Sequence, residues 1–208
     1  TFVVVDRVVI TYLAKNYSLT AINRMLMSVA VPFAYYQPYV AESSKVMPPE
    51  MFMGRKTELE KIEAADGVNI VYGGRQLGKS ALLRMAQKDI DRNENNDRAI
   101  LVDIKGLDFR ETARKIAAEL ADQHILDAEI PDNKADDWTE LGRAVKKVLR
   151  DGGKEGKIPY FLLLLDEADA FIESCAEINY MPFDVLKDIQ SVGTGRFKFV
   201  VAGLRNVV

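Results

Sequence analysis

The chain has 208 residues, a formal net charge of −3 and a single cysteine, which bounds it to one well-cored domain with something attached. That charge argues against a broad nucleic-acid-binding surface in these residues. Cys175 has no partner for an internal disulfide, which fits a reducing cytoplasm, and no apolar stretch reaches the roughly 20 residues of a membrane span.

The chain starts at Thr1 without a methionine and stops at Val208 just after an apolar run, so it reads as an excerpt of a longer protein. Residues 1–41 form a mostly helical flanking segment that no motif assigns. Within it, 2–5 reads as a short strand, interrupted by Asp6 and Arg7 and without the cleavage pattern of a signal peptide. Val8, Val9, Tyr12 and Leu13 then recur at helical spacing, and Ser18 is placed to cap a second helix carrying Ile22, Met25, Leu26 and Val29. Residues 31–39, aromatic and punctuated by Pro32 and Pro38, read as an extended connector. Packing between domains explains them better than a shelf beside a base. Residues 42–50 are a linker by their Ser and Pro content, and 51–208 form the main domain.

That domain opens on Met51-Phe52-Met53-Gly54-Arg55. Thr57 is expected to cap a short helix with Leu59 and Ile62 inward, ended by Asp66-Gly67. Residues 68–72 are an apolar run that reads as a buried strand, and a helix carrying Leu82, Leu83, Met85 and Ala86 follows. Between them lie Gly73, Gly74, Arg75, Gln76, Leu77, Gly78, Lys79 and Ser80, the phosphate-loop (Walker A) pattern in the strand–loop–helix setting it needs. Its glycines let successive N–H groups turn inward toward phosphate oxygens, and the helix start adds a positive dipole end. Lys79 brings a mobile charge for the outer phosphates. The Ser80 hydroxyl is a Mg²⁺ ligand, and Ala81 continues the nucleotide-contacting stretch.

Residues 89–97 are polar and read as a solvated loop, and 99–104 as the next buried strand. Ala113, Ile116, Ala117 and Leu120 mark a helix. His124, the sole histidine, has no second ligand type at metal spacing and reads as structural or solvated. A helix opened by Asp136-Asp137 has one apolar face, Trp138, Leu141, Val145, Val148 and Leu149. Its end carries Lys146, Lys147 and Arg150 before Gly152-Gly153. After a turn at 154–159, residues 160–165 are apolar on both faces, as in a central parallel strand. They end in Asp166-Glu167, the Walker B pattern: Asp166 to hold Mg²⁺ through water, Glu167 to polarise a water for attack on the γ-phosphate. Asp169 reads as a cap or loop residue. Ile172, Ala176, Pro182, Val185, Leu186 and Ile189 suggest a short helix, a turn and a second helix, with Cys175 as a small apolar filler. Gly193-Thr194-Gly195 then lead into a last strand, 197–202, followed by Arg205-Asn206.

An intervening strand between Walker A and Walker B, and the acid beside the Walker B Asp, resemble the additional-strand catalytic-glutamate division of P-loop NTPases. Within it, MFMGRKTELEKI, VYGGRQLGKSALLR, FLLLLDEADAF and FKFVVAGLRN resemble the AAA+/STAND ATPases over residues 51–208. The resemblance implies a three-layer α/β/α sandwich on a parallel sheet with the phosphate-loop strand central. It also implies that Phe52, Met53, Gly54 and Arg55 border the base, and that Arg205 (or Asn206) occupies the sensor-1 position, with Arg205 favoured to sense the γ-phosphate. ATP and Mg²⁺ are the implied ligands. Other domains of a longer chain, a helical lid beyond Val208 and a homo-oligomer in the ATP state are implied as partners. The implied activity is slow ATP hydrolysis that drives a conformational switch in a STAND-like signalling or assembly ATPase. Its rivals are an AAA+ initiator or loader acting on DNA, and a nucleotide-binding module without turnover.

Overall fold

The computed structural model describes residues 6–16, 54–67, 69–74, 77–92, 97–126, 137–151 and 160–203. The chain divides into two compact units, Thr1–Gly54 and Arg55–Val208. In the first, helix α1 (Arg7–Asn16) begins where the Asp6 carboxylate accepts the Val9 N–H at 2.8 Å. Leu13 is buried, whereas Val8 and Tyr12 stand exposed. The expected strand at 2–5, the Ser18-capped helix, the connector at 31–39 and the linker at 42–50 lie outside the described residues.

The second unit runs α2 (Lys56–Glu63), β1 (Ile70–Tyr72), α3 (Lys79–Asp91), β2 (Arg98–Asp103), α4 (Phe109–Asp122), α5 (Asp137–Asp151), β3 (Phe161–Asp166), α6 (Asp169–Cys175), a 3-10 turn (Ala176–Ile178), α7 (Met181–Gly193) and β4 (Phe197–Gly203). The strands form a parallel sheet in the order β1-β4-β3-β2. Strand periodicity sorts the side chains onto two faces. Ile100, Val102, Phe161, Leu163, Leu165, Phe197, Phe199 and Val201 share one face with a core under α4, α5, α6 and α7. Leu162, Leu164, Val200 and Ala202 lie on the opposite face, where α3 packs on β2 and β3 and α2 packs on α3. The result is the expected α/β/α sandwich. β3 is buried at every residue, as a strand covered on both faces requires.

Local chemistry explains most of the helix ends. Asp108 caps α4 through a reciprocal box, accepting from Arg110 and Glu111 N–H while the Glu111 carboxylate accepts the Asp108 N–H. Trp138 is core, as its helical face implied. It stacks on Phe171 at 5.6 Å, and its Nε1 donates to the Phe109 carbonyl at 2.5 Å. The helix–turn–helix between β3 and β4 is present, with Cys175 fully buried in it.

Several expectations are corrected. β1 is short, and its outer residues are open, Ile70 at 46% and Tyr72 at 65%, because β4 is its one neighbour among the described residues. Among the four described strands the phosphate-loop strand stands at one end of the order, beside β4. The polar run at 89–97 is not a uniform solvated loop. α3 extends through Asp91, whose carboxylate accepts the Ala99 N–H at 3.1 Å, and Asp97 is buried. Thr57 does not cap α2. Arg55 occupies that position in a left-handed conformation, and no side chain bonds the helix start. Asp169 is the first residue of α6 rather than its cap, which is Ala168.

Candidate functional site

In a parallel sheet every strand delivers its carboxyl end to the same edge, and here the register says which residues meet there. Val71 pairs with Ala202 and Tyr72 with Gly203 across β1 and β4, while Leu165 pairs with Val201 across β3 and β4. Asp166 therefore comes level with Ala202, whose carbonyl accepts the Ala168 N–H at 2.9 Å. The loop that leaves Tyr72 and the acids that end β3 emerge at one sheet edge with only β4 between them. Two strand spacings amount to about 10 Å.

On the loop side, Gly78 holds φ at 76° as the N-cap of α3, a conformation that favours glycine. Lys79 begins the helix and folds back across the loop, its Nζ donating to the Gly73 carbonyl at 2.8 Å and the Gly74 carbonyl at 2.9 Å. Ser80 and Ala81 are half-buried in the first turn, and Leu77 is exposed beside the glycines. Gly54 and Arg55, at φ 77° and 51°, swing the chain into α2. A Cβ placed on Gly78 would lie 3.9 Å from Arg55 Nη1, so this guanidinium flanks the phosphate-loop turn. Between α2 and β1 opens a cleft of about 480 Å³, with Arg55, Glu58, Lys61, Tyr72 and Lys79 on its walls. Phe52, Met53, Arg75 and Gln76 lie outside the described residues, as do Arg205 and Asn206.

On the acid side, Asp166 is buried, and its Oδ1 accepts the Glu167 N–H at 3.0 Å. The N-cap of α6 is Ala168, so neither Asp166 nor Glu167 occupies the cap position. Glu167 sits at φ 57°, a left-handed value unusual for a long side chain. Among the described residues no group of three or more His, Cys, Asp and Glu side chains could hold a metal alone. The Ser80 hydroxyl and the Asp166 carboxylate are hard oxygen donors. They suit Mg²⁺, which takes one or two protein ligands and completes its shell with phosphate and water.

Sequence reasoning missed further residues. Asp103 ends β2 directly opposite Asp166 in register. Its Oδ1 accepts the Lys105 N–H and its carbonyl accepts Lys115 Nζ at 2.5 Å, so it adds another acid to this edge. The signal was available, since ILVD ends as LLLLD does, but pairing was needed to bring the two together. Glu63, at the end of α2, has its carboxyl pushed up to about 7 by burial, with Asp89 and Glu60 adding to it. Lys198 lies fully buried in β4.

No protein-family model matches the chain, and no curated protein sequence does. Among solved structures, Cdc6p from Pyrobaculum aerophilum is similar, with a TM-score of 0.52 and 17% identity over 79% of this chain and 42% of that chain. A Walker-type ATPase of Pyrococcus abyssi gives a TM-score of 0.48 and 15% identity over 76% of this chain and 47% of that one. The chain thus spans less than half the length of either. The likeness to Cdc6p is one of fold, and it agrees with the parallel sheet and flanking helices.

Proposed function

We propose that this chain binds ATP with Mg²⁺ and hydrolyses it slowly, using the cycle as a conformational switch within a larger STAND-like signalling or assembly ATPase. The observation that carries the reading is the strand register, which brings the phosphate-loop sequence and Asp166-Glu167 out at one edge of the sheet.

The roles follow from the groups. Backbone N–H groups of Gly73 to Ser80 cradle the phosphates at the positive end of α3. Lys79 has neutral carbonyls as partners, and an anionic phosphate oxygen outcompetes them for the ammonium because the bond is charge-assisted. Ser80 and Asp166 would hold Mg²⁺, which would supply positive charge against the β- and γ-phosphates. Glu167 orients and deprotonates the attacking water. Phe52, Met53, Gly54 and Arg55 border the base, and Arg205 reads the γ-phosphate. A lid and an effector come from other domains of a longer chain, and the ATP state assembles with further copies.

A second reading is an AAA+ initiator or loader acting on DNA, and the fold shared with Cdc6p favours it. The net charge of −3 weighs the other way for these residues. Salt-dependent DNA binding by the protein would favour this second reading.

Glu167→Gln tests the enzymatic claim. The variant is expected to hold ATP as tightly as the parent and to lose phosphate release by at least about a hundredfold, the scale of one general base. Equal phosphate release by the two proteins would remove the water-activating role.

A further inference from the structure

Lys198 is the one position of β4 that breaks its apolar run, and it is fully buried. Strand alternation turns it to the face that carries Val200 and Ala202, the face beneath α2 and α3. An ammonium is costly to bury unless its donors are met. Here two of its three donors are met by backbone: Nζ donates to the Lys61 carbonyl at 2.7 Å and to the Ala64 carbonyl at 2.5 Å. Those carbonyls belong to the last turn and C-cap of α2, where helical acceptors lack intrahelical partners and the dipole end is negative. Burial lowers the lysine to about 8, and Asp66 acts in the opposite sense.

The turn after α2 is shaped around this contact. A Cβ on Gly67 would lie 1.8 Å from the Lys61 carbonyl oxygen and 2.8 Å from Lys198 Nζ, so only glycine fits without a shift. The bond also joins two parts of the site. α2 supplies Glu58, Lys61 and Ile62 to the cleft wall, and β4 runs from Lys198 to Gly203 at the edge where Tyr72 and Asp166 emerge. A leucine here would fill the layer between sheet and helix, but it could not hold the carbonyls of α2.

We infer that Lys198 is a positioning residue of the nucleotide cleft, which grips the C-terminal carbonyls of α2 and so sets this helix and its N-cap Arg55, the end of the stretch assigned to the base. This rests on the nucleotide site proposed above, and it concerns the base rather than the phosphates. The phosphates are held by a loop that Lys198 does not touch.

The test compares Mg·ATP with magnesium tripolyphosphate, which keeps the triphosphate and lacks base and sugar. Binding of both is measured by titration calorimetry on the full chain, on Lys198→Met and on Gly67→Ala. Both variants should weaken Mg·ATP by about tenfold, the scale of one charge-assisted hydrogen bond, and leave tripolyphosphate unchanged. Equal weakening of both ligands would mean general loosening and overturn the inference, as would unchanged Mg·ATP binding. A parent that binds the two ligands equally well would also overturn it, since nothing in the cleft then meets the base. A parent that binds neither ligand refutes the nucleotide site itself. Should Lys198→Met fail to fold, Gly67→Ala decides by the same outcomes, because it displaces the contact while keeping the lysine.

Discussion

Glu167 holds φ at 57°, where the Cβ of an L-residue crowds its own carbonyl at a cost of about 1 kcal/mol. The strain sits on the residue assigned to the water, next to the buried carboxylate that accepts its N–H. Glycine relieves that crowding and glutamine keeps it. Glu167→Gly is therefore expected to melt no lower than Glu167→Gln, although it deletes a half-buried side chain, and both should lack turnover. A glycine variant melting clearly below the glutamine variant would show that the side chain supports the fold rather than the chemistry. Lys198 has a different signature. Its folded value of about 8 lies below the ordinary 10.5, so between these the unfolded chain carries more protons and stability rises with pH. Lys198→Met should lose that rise relative to the parent in urea unfolding from pH 8 to 10.5. Parallel profiles would place the lysine in contact with solvent. Cys175 is inert by the same physics, buried among apolar side chains with its thiol pushed up to about 12.

Among the elements, α5 and α7 pack so closely that a Cβ on Gly142 would lie 2.6 Å from Val185 Cγ1. Alanine gains about 1 kcal/mol of helix propensity over glycine, while overpacking costs about 1–3 kcal/mol. The packing term is expected to win: Gly142→Ala should lower the denaturant midpoint, and a higher midpoint would show that Val185 gives way. This contact was invisible in the sequence, where Gly142 interrupts a helical run and would be read as a mere weakness. The apolar faces of α4 and α5 were legible because period 3.6 needs no partner to be seen. The end of α3 was not, since Asp91 looks like loop chemistry until its carboxylate meets the Ala99 N–H. The cap of α2 went wrong for a similar reason. Thr57 has cap chemistry, but Gly54 and Arg55 turn the chain left-handed before the helix and leave Arg55 in that place.

For the whole molecule, the order of elements and the ends of β1 and β3 were written in local patterns, namely apolar runs closed by glycines or by acids. Neighbour relations were not. That β1 borders β4 alone among the described strands, and that Asp103 faces Asp166, depend on pairings between segments far apart in the chain. Lys198 shows the limit most clearly, because its partners lie 134 and 137 residues away and a period-2 reading sees only a flaw in an apolar strand. The loop that follows Tyr72 and the acids of β3 share a sheet edge, which is the proposed triphosphate site. Calorimetric titration of Mg·ATP into the parent and into Lys79→Ala, with folding verified by circular dichroism, tests this most directly. The parent is expected to bind saturably and the variant to show no binding, because the counter-charge for the outer phosphates is gone. Unchanged affinity in a folded Lys79→Ala protein would contradict the account.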